Sequence, residues 1–178
     1  MFRLPKGSLL RKLYAFEPLL SLVRGVLGLP ALFRLADGIG CCTVNVFRPG
    51  DEQGWHYDET EFSVTLMLSA ADEGGLFDFF PALRREGGSC PQVQEEHEAI
   101  GRALEGRTEG MQRLPLTPGA LAIFQGRTAL HRVGQVKGSA TRLVAVLAFN
   151  EKPGIENSEA VRELFWGRKT PESRTDIP

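Results

Sequence analysis

Residues 61–80 read Glu-Phe-Ser-Val-Thr-Leu-Met-Leu-Ser-Ala-Ala-Asp-Glu-Gly-Gly-Leu-Phe-Asp-Phe-Phe, and this stretch decides the fold class. Its first eight residues are mostly apolar or β-branched, and its last six contain three phenylalanines. The polar, glycine-containing break between them is typical of a turn. The stretch therefore predicts two β-strands, over 61–68 and 75–80, joined by a short connection.

The same pattern of short apolar runs recurs before and after these two predicted strands. Short runs rich in valine, phenylalanine, leucine and threonine predict further strands over 41–47, 119–124, 131–136 and 141–149. Glycine (20 residues) and proline (11 residues) are more frequent than in an average domain, and they separate the runs. Short strands at such intervals predict an antiparallel sandwich or barrel, which is a mainly β fold.

Helical patterns flank the predicted strands. Apolar residues three and four positions apart predict an amphipathic helix over 8–27, kinked or split at Pro18. Near the other end, Asn157 or Ser158 is suited to cap a helix that runs to Trp166. We therefore expect helices on both sides of the β core.

The length of 178 residues suits one domain with a sizeable hydrophobic core. A polar excursion with a helix-like stretch over 94–104 predicts an insertion at one edge of the barrel, and the polar residues 169–178 predict a frayed end. The domain is expected to comprise a helical N-terminal buttress at 1–37, a β core at 41–150 with the insertion at 81–117, and a C-terminal helix at 157–166.

Composition argues against several classes of function. With 42% apolar residues, 24% charged residues and a net charge of −1, the chain is unlike proteins that bind nucleic acid mainly through charge. It contains no uninterrupted apolar run of about 20 residues and no secretory cleavage site, so no membrane association is expected. Cys41, Cys42 and Cys90 form no CxxC pair, which predicts inert thiols in a reducing, cytoplasmic setting.

The residues that carry chemistry begin at 54–58, Gly-Trp-His-Tyr-Asp. His56 and Asp58 are two apart, so on an extended segment their side chains face the same way and can bind one cation. His131 is the candidate third ligand, whereas His97 lies among glutamates on the polar helix and is expected in solvent. Two histidines and one carboxylate leave coordination positions open, as Fe(II) needs when it binds a cosubstrate and O2. A structural zinc site would instead have four protein ligands.

Arg142 begins the most apolar predicted strand, Arg-Leu-Val-Ala-Val-Leu-Ala-Phe. An arginine in such surroundings is costly unless an anion meets it, and the carboxylate of a ligand would satisfy its guanidinium with two hydrogen bonds. The alternative is an arginine on an edge strand that reaches solvent.

The order His56-x-Asp58, then His131, then Arg142 resembles the Fe(II)/2-oxoglutarate-dependent dioxygenases, over about residues 41–150. The resemblance implies a double-stranded β-helix (a jelly roll) that presents His56, Asp58 and His131 to Fe(II) at one open end. It also implies 2-oxoglutarate as cosubstrate and O2 as oxidant. Arg142 would bind the far carboxylate of 2-oxoglutarate, whose keto acid end chelates the iron.

Two further residues are candidates for contact with the cosubstrate. Asn45, in Asn-Val-Phe-Arg-Pro-Gly, resembles the polar residue that often touches the cosubstrate in this family, and Thr65 lies on a strand expected to line the barrel. The alternative for Asn45 is a hydrogen bond to neighbouring backbone. No catalytic residue beyond the metal ligands is expected, because the metal carries out the oxidation.

A closer resemblance is to the branch that acts on free amino acids and includes halogenases. It rests on His-x-Asp-x-x-Glu-Phe-x-Val-Thr-Leu from His56, Gly-Gly-x-Phe-x-Phe from Gly74, and Leu-Phe-Trp-Gly-Arg from Leu164. Halogenases replace the carboxylate ligand with glycine or alanine, whereas this chain keeps Asp58. The resemblance therefore implies a hydroxylase that couples oxidative decarboxylation of 2-oxoglutarate to hydroxylation of an unactivated C–H bond, in a free amino acid or another small molecule.

Charged residues near the motif are candidates for selecting a charged substrate, with solvated surface charge as the alternative for each; they are Glu59, Glu61, Asp78 and Arg84. Two other functions stay open: a dioxygenase of the same fold that modifies protein side chains or nucleobases, and a cupin-like protein that binds a metal or ligand without turnover. The amino-acid branch usually carries a longer helical N-terminal region. We therefore expect a pocket that is either more open or completed by the second subunit of a homodimer.

Overall fold

A computed structural model describes residues 4–5, 7–81, 83–84 and 90–167; the predicted frayed end at 169–178 and part of the predicted insertion lie outside these residues. The described part contains, in chain order, α1 (Leu9–Ala15), α2 (Glu17–Leu27), β1 (Phe33–Arg34), β2 (Cys42–Phe47), β3 (Gln53–His56), β4 (Phe62–Ser69), β5 (Glu73–Gly74), β6 (Phe77–Phe80), α3 (Cys90–Leu104), β7 (Gln112–Leu114), β8 (Leu121–Phe124), β9 (Leu130–Val133), β10 (Val136–Lys137), β11 (Arg142–Asn150) and α4 (Glu159–Trp166).

The described strands form two larger antiparallel sheets and one two-stranded sheet. In the major sheet, β11 pairs with β4 on one side and with β2 and β1, end to end, on the other, and β8 pairs with β4. The minor sheet has the order β3-β9-β6-β7, and β5 pairs with β10 beside it. Phe47 and Val144 of the major sheet pack against Phe77 and Val133 of the minor sheet. The predicted mainly β, jelly-roll fold with flanking helices is confirmed.

The N-terminal helices cover one end of the major sheet. The predicted helix over 8–27 is two helices that meet at Phe16, so Pro18 stands in the first turn of α2, where a missing amide hydrogen costs nothing. Tyr14, Leu19 and Val23 bury their side chains in one cluster with residues of β4 and β11, and the Tyr14 hydroxyl donates to the carbonyl of Ala148 at 2.7 Å. None of the described helices is long and apolar enough to cross a bilayer.

The outer face of the minor sheet holds a buried carboxylate. Asp78 on β6 lies opposite Arg113 on β7 and Arg132 on β9, and it accepts hydrogen bonds of 2.6 Å and 3.0 Å from them. Burial alone would raise the pKa of Asp78, but these hydrogen bonds outweigh burial and hold the pKa below its ordinary value. Asp78 therefore ties three strands together and does not face the interior of the barrel, where a substrate would meet the metal ligands.

Candidate metal centre and adjoining cleft

Three potential metal ligands meet at one end of the barrel. His56 on β3 and His131 on β9 are direct cross-strand partners, so their rings lie side by side with centroids 4.1 Å apart. The Oδ1 atom of Asp58 lies 3.8 Å from Nε2 of His56 and 3.5 Å from Nε2 of His131. All three ligand atoms lie within 4.8 Å of one another, which is close enough for one cation to bind all three.

The backbone fixes the orientation of both imidazoles. Nδ1 of His56 lies 2.8 Å from the carbonyl of Gly54, and Nδ1 of His131 lies 2.8 Å from the carbonyl of Ala129. A carbonyl only accepts hydrogen bonds, so Nδ1 carries the proton and Nε2 keeps its lone pair for a metal. Burial, and then the neighbouring His131, lower the pKa of His56, which favours the neutral ring that a metal requires.

The Asp58 carboxylate is held by its own set of contacts. Its backbone amide donates to the carbonyl of Gly126, and the hydroxyl of Ser63 donates to Oδ2 at 2.6 Å. Burial alone would raise the pKa of Asp58, but the neighbouring His131 and the hydrogen bond from the Ser63 hydroxyl hold it below its ordinary value, so the group is ionised. A Cβ atom at position 126 would collide with Oδ2 of Asp58, which explains the glycine there.

This donor set fits Fe(II). Two imidazole nitrogens and one carboxylate oxygen come together here, and among the described residues no further histidine, cysteine or acidic side chain joins the group. An octahedral ion bound this way keeps positions open for a chelating cosubstrate and O2. Gln53, on the short strand β3 that the sequence pattern does not reveal, places Nε2 only 3.2 Å from Nε2 of His56.

A cavity of about 60 Å³ lies beside the triad, and Arg142 forms part of its wall. The Arg142 side chain is only 2% exposed, and its Nε and Nη1 atoms have no hydrogen-bond partner. The Oγ1 atom of Thr65 is also buried without a partner, and Asn45 completes the polar lining. Burial lowers the pKa of Arg142 to about 10, so the group still carries its charge at neutral pH.

These three residues reach one cavity because of the strand register. Asn45 lies opposite Val144, Thr65 lies opposite Val146, and Arg142 lies two residues before Val144 on the same strand. Alternate residues of a strand face the same side, so all three point between the sheets. The donor-rich end of this cavity fits the carboxylate of a ligand that chelates a metal at the triad.

The Gly-Gly pair of the sequence motif makes room for Arg142. Gly75 has a φ of +59°, in the left-handed region that favours glycine, and a Cβ there would lie 2.9 Å from Cδ of Arg142. A side chain at this position would therefore displace the guanidinium as well as strain the backbone.

A larger cleft of about 390 Å³ adjoins the triad and is lined in part by Asp58. Val161, Phe165 and Trp166 of α4 line one wall, and the Phe165 ring centroid lies 6.4 Å from that of His56. Tyr57 and Trp166 both line this cleft, and the Tyr57 hydroxyl and the Trp166 indole nitrogen are buried without hydrogen-bond partners. Buried polar atoms without partners are uncommon, so their occurrence in two residues that line one cleft marks this region as a candidate ligand site.

The candidate substrate residues lie in different places. Arg84 lines the large cleft, stacks 3.7 Å from the centroid of the Tyr57 ring, and approaches Glu96 of α3 at 3.4 Å. Glu59 also lines the cleft, but its Oε2 accepts a hydrogen bond from the Ser158 amide at 2.7 Å. Glu61 is not among the residues that line the cleft; it accepts from the Glu151 amide and lies 3.8 Å from Arg127.

The remaining histidine and the cysteines stand apart from the site. His97 is exposed on α3. Cys41 is buried and Cys42 half-buried, both as free thiols, and burial raises the pKa of Cys41 to about 12, which makes that thiol unreactive. The side chain of Cys90 lies outside the described residues.

The chain matches a known protein family over most of its length. Residues 4–165 match the family described as HalD, Halogenase D. No curated protein matches the sequence.

Similar solved structures share the fold at low sequence identity. An oxidoreductase of the 2OG-Fe(II) oxygenase family from Burkholderia pseudomallei has a TM-score of 0.59 and 20% identity, over 88% of this chain and 61% of that one. AviO1 from Streptomyces viridochromogenes has a TM-score of 0.56 and 16% identity, over 82% and 62%. EctD from S. alaskensis has a TM-score of 0.56 and 18% identity, over 85% and 59%. This chain thus spans about three fifths of the length of these structures.

Proposed function

The chain belongs to the halogenase D family, within the superfamily of Fe(II)/2-oxoglutarate oxygenases, and on this basis we propose that it hydroxylates an unactivated C–H bond of a small molecule, namely a free amino acid. Its cofactors are Fe(II), 2-oxoglutarate and O2. The observation that carries the proposal is the combination of an ionised Asp58 beside two oriented imidazoles and a buried, unpaired Arg142 in the same cavity.

Each part of the site has a distinct task in this proposal. His56, Asp58 and His131 would hold the iron, and Arg142 with Thr65 would bind the far carboxylate of 2-oxoglutarate, with Asn45 beside it. When bound, iron, 2-oxoglutarate and O2 supply the oxidation, in which a C–H bond becomes C–OH and 2-oxoglutarate becomes succinate and CO2. The apolar walls from Phe47, Phe77 and Phe124 would limit water in the cavity that holds 2-oxoglutarate, beside the metal ligands.

Asp58 supports hydroxylation over halogenation, although the family carries the halogenase name. Its carboxylate would take the position on the iron that a halide needs, and both Ser63 and the glycine at position 126 hold the carboxylate in place. With Asp58 as a third protein ligand, the iron would lack the extra position that loss of this carboxylate opens to chloride.

The large cleft supports a small charged substrate. It offers a cation at Arg84 and an anion at Glu59, and a free amino acid carries a carboxylate and an ammonium group that complement both. Arg142 argues against a cupin-like protein without turnover, because such a protein has no need of a carboxylate clamp. The cytoplasmic location and the homodimer remain predictions.

The test is a screen of free amino acids with Fe(II)-loaded protein, 2-oxoglutarate and O2. We expect at least one amino acid to stimulate succinate formation and to gain one oxygen atom, with no halogenated product when chloride is added. Asp58→Ala should abolish both signals, and His97→Ala, on the exposed face of α3, should leave them unchanged. A chlorinated product, or a protein that binds neither iron nor 2-oxoglutarate, contradicts the proposal.

A further inference from the structure

The C-terminal helix α4 forms one wall of the large cleft, and a buried ion pair joins it to the turn before β2. Arg162, in the middle of α4, is 6% exposed, and Asp37, in the turn before β2, is fully buried. Nε of Arg162 donates to Oδ2 of Asp37 at 3.1 Å. The opposite face of the same short helix leaves Leu164 exposed, so little apolar packing holds α4 on its outer side.

Asp37 is built to hold a fixed position. Its Oδ1 accepts the amides of Ile39 at 2.8 Å and Gly40 at 3.3 Å, and its Oδ2 accepts the amide of Asn157 at 3.2 Å, just before α4 begins. A carboxylate with these backbone donors keeps one orientation, so the guanidinium of Arg162 has one place to bind. The turn and the helix therefore share a single charged centre.

Two further contacts set where α4 points. A Cβ at Gly40 would lie 2.8 Å from Cη2 of Trp166 and would collide with Asn157, so only glycine lets the helix approach this closely. Glu59, the residue after Asp58, accepts the Ser158 amide at 2.7 Å at the start of α4. The helix that lines the cleft is thus tied to the segment that carries a metal ligand.

We propose that Asp37 and Arg162 are positioning residues for the primary substrate: their ion pair holds α4 so that Phe165 and Trp166 complete the substrate side of the cleft. The inference rests on the proposed function, because it assigns the large cleft to the substrate. It predicts different effects on the primary substrate and on 2-oxoglutarate, because no residue of α4 lines the cavity around Arg142. Weakening the pair should impair the substrate and spare 2-oxoglutarate.

The experiment uses the full chain with Asp37→Asn and with Arg162→Met, each compared with Glu156→Gln. Glu156 is the second, partly exposed partner of Arg162, with its Oε2 atom 2.6 Å from Nη2 of the guanidinium. Glu156→Gln therefore removes one negative charge next to the same guanidinium and leaves the buried Asp37–Arg162 pair in place. Hydrogen exchange of the amides at 159–167 should become at least about tenfold faster in the first two variants and change by less than about twofold in the third.

Kinetics then distinguish positioning from a general loss of fold. With the amino acid that best stimulates turnover, we expect the two anchor variants to raise its KM about tenfold or more and to leave the Kd of 2-oxoglutarate within about twofold of the wild-type value. Arg162→Lys should recover part of the KM, since it keeps the charge. Phe165→Ala should raise the same KM with normal exchange at 159–167, because it removes the wall and leaves the anchor.

The outcomes separate this inference from the proposed function. Unchanged exchange at 159–167 in Asp37→Asn and Arg162→Met overturns the inference whatever the turnover. Equal losses for the substrate and for 2-oxoglutarate overturn it too, since they indicate a general structural role. Failure of every amino acid to stimulate turnover contradicts the proposed function, while the exchange measurement still decides whether the ion pair holds α4.

Discussion

Two buried arginines, Arg142 beside the metal centre and Arg162 in the helix α4, are in opposite electrostatic states. Arg162 is satisfied within the protein, because Asp37 and Glu156 accept its hydrogen bonds. Arg142 is more deeply buried, yet its Nε and Nη1 atoms find no acceptor. Arg162 holds a helix in place, whereas Arg142 places a charge that has no internal acceptor in a cavity next to three potential metal ligands.

The difference teaches how a buried charge can be interpreted. A paired buried charge is explained by the fold, since the partner restores most of what was lost when water was removed. An unpaired one opposes folding and is kept for something the free protein does not contain. Burial alone does not separate the two arginines; the presence or absence of an internal acceptor does.

The largest effect is expected from Asp58→Ala, which tests whether Arg142 belongs to a metal cavity. Removing one of three ligands should weaken Fe(II) binding by more than about 100-fold and reduce 2-oxoglutarate turnover below detection. The neighbourhood of Arg162 should be unaffected, so α4 keeps its hydrogen-exchange protection. Calorimetric titration of Fe(II) under anaerobic conditions measures the affinity. An unchanged iron affinity would remove Asp58 from the centre.

The next effect sets the two arginines directly against each other. Arg142→Met should weaken 2-oxoglutarate binding by about 10- to 100-fold, because a charge-assisted contact is lost, and should leave the free energy of unfolding unchanged or higher. Arg162→Met should lower the free energy of unfolding by about 3 kcal/mol, since Asp37 loses its cation, and leave 2-oxoglutarate binding intact. Urea unfolding and equilibrium titration give both quantities.

The control for this pair is Arg107→Met, which removes a largely exposed arginine whose partner is Glu105. Neither quantity should change by a measurable amount, because exposed ion pairs contribute little. If both buried arginines behaved alike, the distinction between paired and unpaired burial would fail.

A smaller effect is expected from two glycines that differ in what a methyl group would meet. A Cβ at Gly126 would collide with the Asp58 carboxylate, whereas one at Gly134 has only an ordinary contact, 3.8 Å from the carbonyl oxygen of Leu76. Gly126→Ala should therefore weaken Fe(II) binding by about 10- to 100-fold, while Gly134→Ala should not. Equal iron affinities in the two variants would show that the position of Asp58 tolerates displacement.

The smallest effect concerns Asp78, a buried charge that is paired like Arg162 but lies outside the barrel. Its pKa is lowered in the folded protein, so its contribution to stability is present above about pH 4 and is lost as pH falls through the folded-state pKa. Asp78→Asn should cost about 1–2 kcal/mol of unfolding free energy at pH 7, since its arginines are partly exposed. The difference from wild type should shrink at pH 3, with no change in 2-oxoglutarate affinity.

Much of the fold follows from local patterns. The long apolar runs that form β4 and β11 are recognisable because both faces of these strands are buried. The helix over Glu159–Trp166 is predicted by Ser158, whose side chain accepts a hydrogen bond from the Val161 amide. The short strands β1, β3 and β7 are not predicted, because two to four residues carry too little periodicity. The predicted strand over 131–136 is divided into β9 and β10 on either side of Gly134.

The metal ligands are predictable for a different reason than the cleft. His56 and Asp58 are neighbours in sequence, and few histidines compete for the third place, so residue type and spacing suffice. Gln53 beside His56, and the Asp37–Arg162 pair that spans 125 residues, depend on tertiary contacts that no local pattern encodes. Glu61 faces Arg127 and Glu151 rather than the cleft for the same reason.

The central claim is that Arg142 binds the far carboxylate of 2-oxoglutarate. The most direct measurement compares 2-oxoglutarate with 2-oxopentanoate, which has the same carbon chain and no far carboxylate, in anaerobic titrations of the Fe(II)-loaded protein followed by the visible charge-transfer band. We expect 2-oxoglutarate to bind about 10- to 100-fold more tightly, and Arg142→Met to abolish that difference. Equal affinities for the two acids in the wild-type protein, or a difference that survives in Arg142→Met, would contradict the claim.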